Sequence, residues 1–240
     1  PLEVRALLAR SAGAVFQVLA AMDPGNAGWQ RDLSVSHHRI GDVLVAQGNL
    51  PGALAALQAS LTIAERLAVA DPGNAGWQHD LSVSHDRMGN VLMVQGNLRG
   101  ALAAFQTSCA IRERLTVVDR ANVGWQHGLS VSYEWIGDAL VAQGNLPGAC
   151  TAFQASCAIT ERLAAMDPGN ARWQRGLSVS HIKVGGVLRA QGNLPGALAA
   201  FQASCAIQER LAAADPGNAG WQRDLGVSHE RIGGVLRAQG

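Results

Sequence analysis

The residues of this chain that could do chemistry recur at a fixed interval, and that interval limits what they can do. Ser36-His37 and Ser84-His85 set a hydroxyl beside an imidazole. Neighbours i and i+1 on a helix point apart, so neither pair forms a nucleophile–base dyad. Tyr133 stands at the equivalent place in the next copy, which indicates that the position calls for an amphipathic ring. A metal ion needs ligands converging to about 2 Å, and histidines on successive copies are held apart by whole helices. Cys109, Cys157 and Cys205 are 48 residues apart, with Leu61 in the preceding copy, and Cys150 aligns with Leu54, Leu102 and Leu198. A position that also takes Leu is a small apolar packing site, so the expectation is four buried free thiols and no metal or disulfide framework. Free thiols fit a reducing, cytoplasmic setting. Trp29, Trp77, Trp125, Trp173 and Trp221 form a ladder that could stack bases. Each Trp lies near the apolar side at the start of a helix, so packing on the end of the preceding helix is expected instead. No glycine-rich phosphate loop is present, because each Gly-containing turn follows a helix and no strand is predicted.

Behind these residues lies a 48-residue repeat, the signature of a solenoid or array. Asp23–Gly48 returns at Asp215–Gly240 with 22 of 26 residues identical. The differences are Ser34/Gly226, His38/Glu230, Asp42/Gly234 and Val45/Arg237, which fall on one helical stripe about 80° wide. Leu33, Ile40, Val43 and Leu44 lie roughly opposite, as a core-facing stripe should. The packing side is therefore expected to be held fixed while an exposed side varies.

Each unit reads as two helices. Helix A runs from about Ala27 to Gln47, with Asn26 as N-cap and Gly48 as the residue that ends it. Helix B runs from about Leu50 to Ala70, capped by Asn49, with Pro51 in its first turn. Asp71-Pro72-Gly73-Asn74 closes it. The grammar repeats at 75–118, 123–166 and 171–214, and Asp119-Arg120-Ala121-Asn122 is the one connector without Pro or Gly. A divergent first helix, about Leu2–Met22, and a final A helix flank the full copies. The expected organisation is one solenoid over 1–240, with units at about 23–70, 71–118, 119–166 and 167–214 and partial caps at 1–22 and 215–240.

The composition is 48% hydrophobic and only 5% aromatic, so the core must rely on small side chains. A net charge of +1 supplies no bulk field for nucleic acid, and no nucleic-acid partner is expected. No unbroken run of about 18 apolar residues suggests a membrane span, and no signal peptide precedes the first helix. The start at Pro1 and the stop at Gly240 read as cut ends of a longer chain.

Ile40-Gly41, Leu44, Gly48, Ala53 and Leu57, with Phe105, Phe153 and Phe201 at the aromatic place of other copies, resemble the tetratricopeptide repeat. The departures are a period of 48 where that family has 34, His or Tyr where it has an early Trp, and no closing Pro at Glu65. The resemblance implies an all-α solenoid of about ten helices in antiparallel pairs, winding into a right-handed superhelix. It also implies a ligand face lined by A helices. Carried over, that face comprises His38, Asp42 and Val45; Asp86, Asn90 and Met93; Glu134, Asp138 and Val141; Ile182, Gly186 and Arg189; and Glu230, Gly234 and Arg237. An extended peptide would turn basic groups toward the first three sets and acidic groups toward Arg189 and Arg237. Arg31, His79, His127, Arg175 and Arg223 also vary at another outward position, as plain surface drift would produce.

The expected function is a non-catalytic scaffold for a protein or peptide partner, with no cofactor and no metal. Two other readings remain open. One is a regulatory arm of a larger signalling NTPase or protease. The other is a structural solenoid stacking head to tail, since Ile232, Val235 and Leu236 have no following B helix to cover them.

Overall fold

The computed structural model describes residues 2–239, and all of its regular structure there is helical. Ten helices follow in order: α1 Leu2–Met22, α2 Ala27–Ala46, α3 Leu50–Ala70, α4 Ala75–Val94, α5 Leu98–Val118, α6 Val123–Ala142, α7 Leu146–Met166, α8 Ala171–Ala190, α9 Leu194–Ala214 and α10 Ala219–Gln239. Even-numbered helices are A helices and odd-numbered ones are B helices. The chain gathers into two compact units, Pro1–Asp119 and Arg120–Gly240. Their boundary falls in the connector that lacks Pro and Gly.

The ends of each helix follow from a few residues. The Asn26 side chain accepts from the Trp29 amide, and the Asn49 side chain accepts from the Gly52 amide. At the other end of α2, Gly48 adopts φ +77°. Its N–H donates to the Val45 carbonyl while the Asn49 N–H donates to the Leu44 carbonyl, which satisfies two otherwise orphaned acceptors. Gln47, expected inside the helix, is its C-cap.

Within the first unit α1 packs on α2, α2 on α3, α3 on α4 and α4 on α5; in the second, each helix from α6 to α10 packs on the next. One glycine of each full copy's A helix makes the closest approach. A Cβ built on Gly89 would lie 2.5 Å from Phe105, on Gly137 2.4 Å from Phe153, and on Gly185 2.6 Å from Phe201. The B-helix aromatic ring therefore fills the space that a side chain on the A helix would occupy. Alanines 53, 101, 149 and 197, each fully buried, let the helix pairs close up around it.

The expectation of no membrane-length segment is corrected. α1 and α3 are long and apolar enough to cross a membrane by length and composition. Charged and polar residues, among them Arg5, Arg10 and Gln17 in α1 and Gln58, Glu65 and Arg66 in α3, break the unbroken run that the sequence search required. In the first unit α3 turns Ala53, Leu57, Leu61, Ala64 and Leu67 into the core between α2 and α4.

Candidate functional site

The α2 helix packs on α1, α3 and α4, and the last two decide the fate of its variable stripe. One face of α2 meets α3, and another meets α4. Position 34, expected outside, is buried: Ser34 Oγ lies 2.7 Å from Ser60 Oγ of α3. Ser178 repeats the contact with Ser204 at 2.8 Å. At Gly226 of α10 a Cβ would meet nothing within 4 Å, because within the described residues no B helix follows.

His38 and Asp86 are corrected in the same way. Both were expected on the exposed face, and both are buried. The Ser84 hydroxyl donates to the Asp80 carbonyl, so it accepts from His38 Nε2–H at 3.0 Å, which fixes that tautomer. Burial pushes the His38 imidazole down to about 4, with the Arg87 charge acting in the same direction. Asp86 pairs with Arg112 of α5, the two side chains being 3% and 6% exposed. Burial raises the Asp86 carboxyl to about 6 even against the pull of Arg112. Glu134 is half-buried and accepts from Ser156 Oγ at 3.2 Å and Ser180 Oγ at 3.3 Å; burial raises its carboxyl too. Ile182 is half-buried, and Glu230 is exposed.

The next positions face water but are partly occupied. Asp42 pairs with Arg87 of α4, and the Lys183 ammonium donates to both carboxylate oxygens of Asp138 at 2.6 and 2.7 Å. Arg31 pairs with Asp80, and Arg175 with Asp224 at 3.1 Å. These bonds join an A helix to the next A helix. Asn90, Val141, Arg189 and Arg237 are exposed, and Val45, Met93, Gly186 and Gly234 are half-buried. Among the described residues no carboxylate pairs with Arg189 or Arg237. At Gly186 a built Cβ meets nothing within 4 Å; at Gly234 it meets only the Arg189 guanidinium, at 3.8 Å.

The tryptophans are half-buried and not fully enclosed. Trp77, with Leu67 of α3 and Arg31, His38 and Val83, lines a cavity of about 260 Å³ in the first unit. In the second unit the Arg175 guanidinium sits 5.7 Å from the Trp221 ring, and His127 meets Trp173 edge-on at 5.2 Å. Val235 of α10 was expected to be uncovered, but it is fully buried against Ala197 and Phe201; Ile232 is half-covered and Leu236 stays 52% exposed.

Sequence reasoning missed two sets of residues. Gln30, Gln78 and Gln174 reach back to the preceding B helix, where their Nε2 groups donate to the carbonyls of Ala20, Ala68 and Ala164. Their signal was the Trp-Gln pair in every copy. The other set is Cys157 with Glu161 and His181, and Cys205 with Glu209 and His229. Histidines of successive copies do stand apart. The relevant neighbour, however, is a cysteine on the preceding B helix, 24 residues away.

Repeated Asn-capped hairpins, a small A-helix residue under a B-helix aromatic in three copies, and A-to-A bonds within each unit define the architecture. Solved structures with the same arrangement decide the fold. BtubC (BKLC) from P. vanneervenii superposes with a TM-score of 0.75 at 13% identity, over 100% of this chain and 84% of that one. The fold is that of the TPR-like repeats. The nearly identical TPR-like repeats of a Podosopora anserina chain assigned to the kinesin light chains match with a TM-score of 0.58 at 16% identity, covering 88% and 96%. MamA matches at 0.50 and 15%, covering 84% and 89%. No protein-family model and no curated protein sequence matches the chain. The TPR-like hairpins here carry 20- and 21-residue helices, which accounts for the long period.

Proposed function

We propose that this TPR-like chain is a scaffold for a protein partner, and that the partner's extended acidic segment lies along α8 and α10. One observation carries the reading. On these two helices the variable stripe carries outward guanidinium groups, Arg189 and Arg237, beside the glycines Gly186 and Gly234. An arginine fork binds carboxylates in pairs, and a glycine in mid-helix lets a partner backbone come close. On α2 the place of Gly186 holds Asp42, which pairs with Arg87 of α4, and the place of Ile182 holds His38, which bonds to Ser84 of α4. The likeness to TPR-like structures supports a scaffold in general, and the acidic character of the segment comes from the arginines of this chain.

The test uses a labelled acidic peptide of extended design and its neutral counterpart, with fluorescence anisotropy as readout. Binding of the acidic peptide is expected to fall at least tenfold in the Arg189→Glu/Arg237→Glu variant at unchanged melting temperature. Asp42→Lys, on α2, should leave binding as it was. Equal binding of the acidic and neutral peptides, or no effect of the arginine reversals, would remove the proposal.

A further inference from the structure

We propose that the second unit carries two zinc-class metal sites, Cys157–Glu161–His181 and Cys205–Glu209–His229. Both triads are built alike. The Cys and Glu are one turn apart on a B helix, α7 or α9, and so face the same way. The His comes from the A helix packed against it, α8 or α10.

The distances suit an ion. Cys157 Sγ lies 3.6 Å from Glu161 Oε1 and 3.6 Å from His181 Nδ1. In the second triad the values are 3.8 and 3.7 Å. In each, the three donor atoms all lie within 4.8 Å of one another. A tetrahedral ion with a sulfur ligand at about 2.3 Å and a nitrogen or oxygen ligand at about 2.0 Å separates those ligands by about 3.5 Å. The two sulfur distances in each triad lie within a few tenths of an ångström of that value.

In the metal-free chain the thiol proton is donated to the carboxylate, and the sulfur can accept from the imidazole Nδ1–H. A divalent cation replaces that proton and contacts all three groups. The S–H bond breaks, its proton leaves to solvent, and a sulfur–metal bond forms. With one thiolate and one carboxylate the site is electrically neutral, as a partly buried position favours. One thiolate, one imidazole and one carboxylate form a mixed donor set suited to a borderline ion. Glu161 and Glu209 are exposed, so a fourth position opens to water. The bound ion would tie α7 to α8 and α9 to α10.

Other copies supply internal controls. The first has Leu61, Glu65 and His85, and the second Cys109, Glu113 and Tyr133, so each lacks one ligand type. Substitutions that import these residues use side chains the repeat already accepts.

The experiment titrates the reduced, chelator-stripped chain with Co(II), then displaces it with Zn(II). Two equivalents are expected, with the near-ultraviolet sulfur-to-cobalt absorption of a thiolate ligand. His181→Tyr and His229→Tyr should each remove one equivalent, Cys157→Leu should match His181→Tyr, and Cys109→Leu should leave both. Zn(II) should raise the melting temperature of the parent and not of the double histidine variant, whose far-ultraviolet circular dichroism checks its fold. Absence of the sulfur-to-cobalt band in the parent would overturn the proposal. So would a band of undiminished strength in the double histidine variant, which would mean binding by thiols alone.

Discussion

Two seams between successive A helices occupy the same place in the repeat and are filled differently. Between α2 and α4 the stripe is saturated from within: His38 bonds to Ser84, Asp42 to Arg87 and Arg31 to Asp80. Between α8 and α10, among the described residues, Arg175–Asp224 alone remains as an ion pair. There Arg231 faces the place of Asp42 and Asp138, which is now Gly186, and its guanidinium lies 5.9 Å from the Phe201 ring instead. The helices beneath are alike, so variation along this stripe sets how one copy addresses the next. Where Gly186 removes the acidic partner, Arg189 of the same stripe faces outward.

Energies point the same way. Exposed pairs such as Arg31–Asp80 contribute about 0.2–1 kcal/mol each, far less than the apolar core beneath them. Such pairs set register between copies more than they set stability. Asp86–Arg112 differs because it is buried, and breaking it by removing one partner strands a charge.

The comparison can be broken or sharpened in four steps. Arg112→Leu, which leaves Asp86 alone inside the first unit, should cost about 3–5 kcal/mol in urea unfolding. Gln208→Leu is the equivalent change in the second unit, where Gln208 Nε2 donates to Ser178 Oγ at 2.7 Å. It should cost only about 1–2 kcal/mol, and equal losses would erase the distinction.

His38→Gln comes next. The folded imidazole titrates near 4, below its ordinary 6.5, so the unfolded chain takes up the proton first. Stability from this group is full above 6.5 and is lost as pH falls toward 4, by roughly 2–3 kcal/mol. Glutamine can keep the bond to Ser84 and should abolish that loss. Asp86, raised to about 6, contributes an opposite slope to parent and variant alike, so their difference isolates His38.

Gly89→Ala and Gly185→Ala probe the shared skeleton. Each pushes a methyl against a phenylalanine ring, so both should lose a similar amount, about 1–3 kcal/mol, by thermal unfolding. A large inequality would mean that the two seams do not rest on the same frame. The smallest effect is expected from Gly186→Asp, which restores a partner for Arg231 and should gain about 0.2–1 kcal/mol in the same measurement.

The helices were legible because Asn, Gly and Pro mark each boundary chemically, and five phased copies repeat the marks. The Phe-under-Gly contact was legible as a spacing. The stripe was misread at Ser34, His38 and Asp86 because a polar residue paired across a buried seam has the same letter as one facing water. Packing against α3 and also against the next A helix, α4, turns part of the stripe inward, and a single-helix projection does not contain those neighbours. The Cys157–Glu161–His181 cluster escaped because its members lie on the B helix of one copy and the A helix of the next, whereas the ladder compares like with like.

The inward turn of this stripe is tested most directly at His38 by a proton NMR titration, with the signal assigned by its absence in His38→Gln. A ring titrating near 4 is the result required by an imidazole enclosed between α2 and α4. A midpoint at the ordinary 6.5 would place His38 in water and contradict the account.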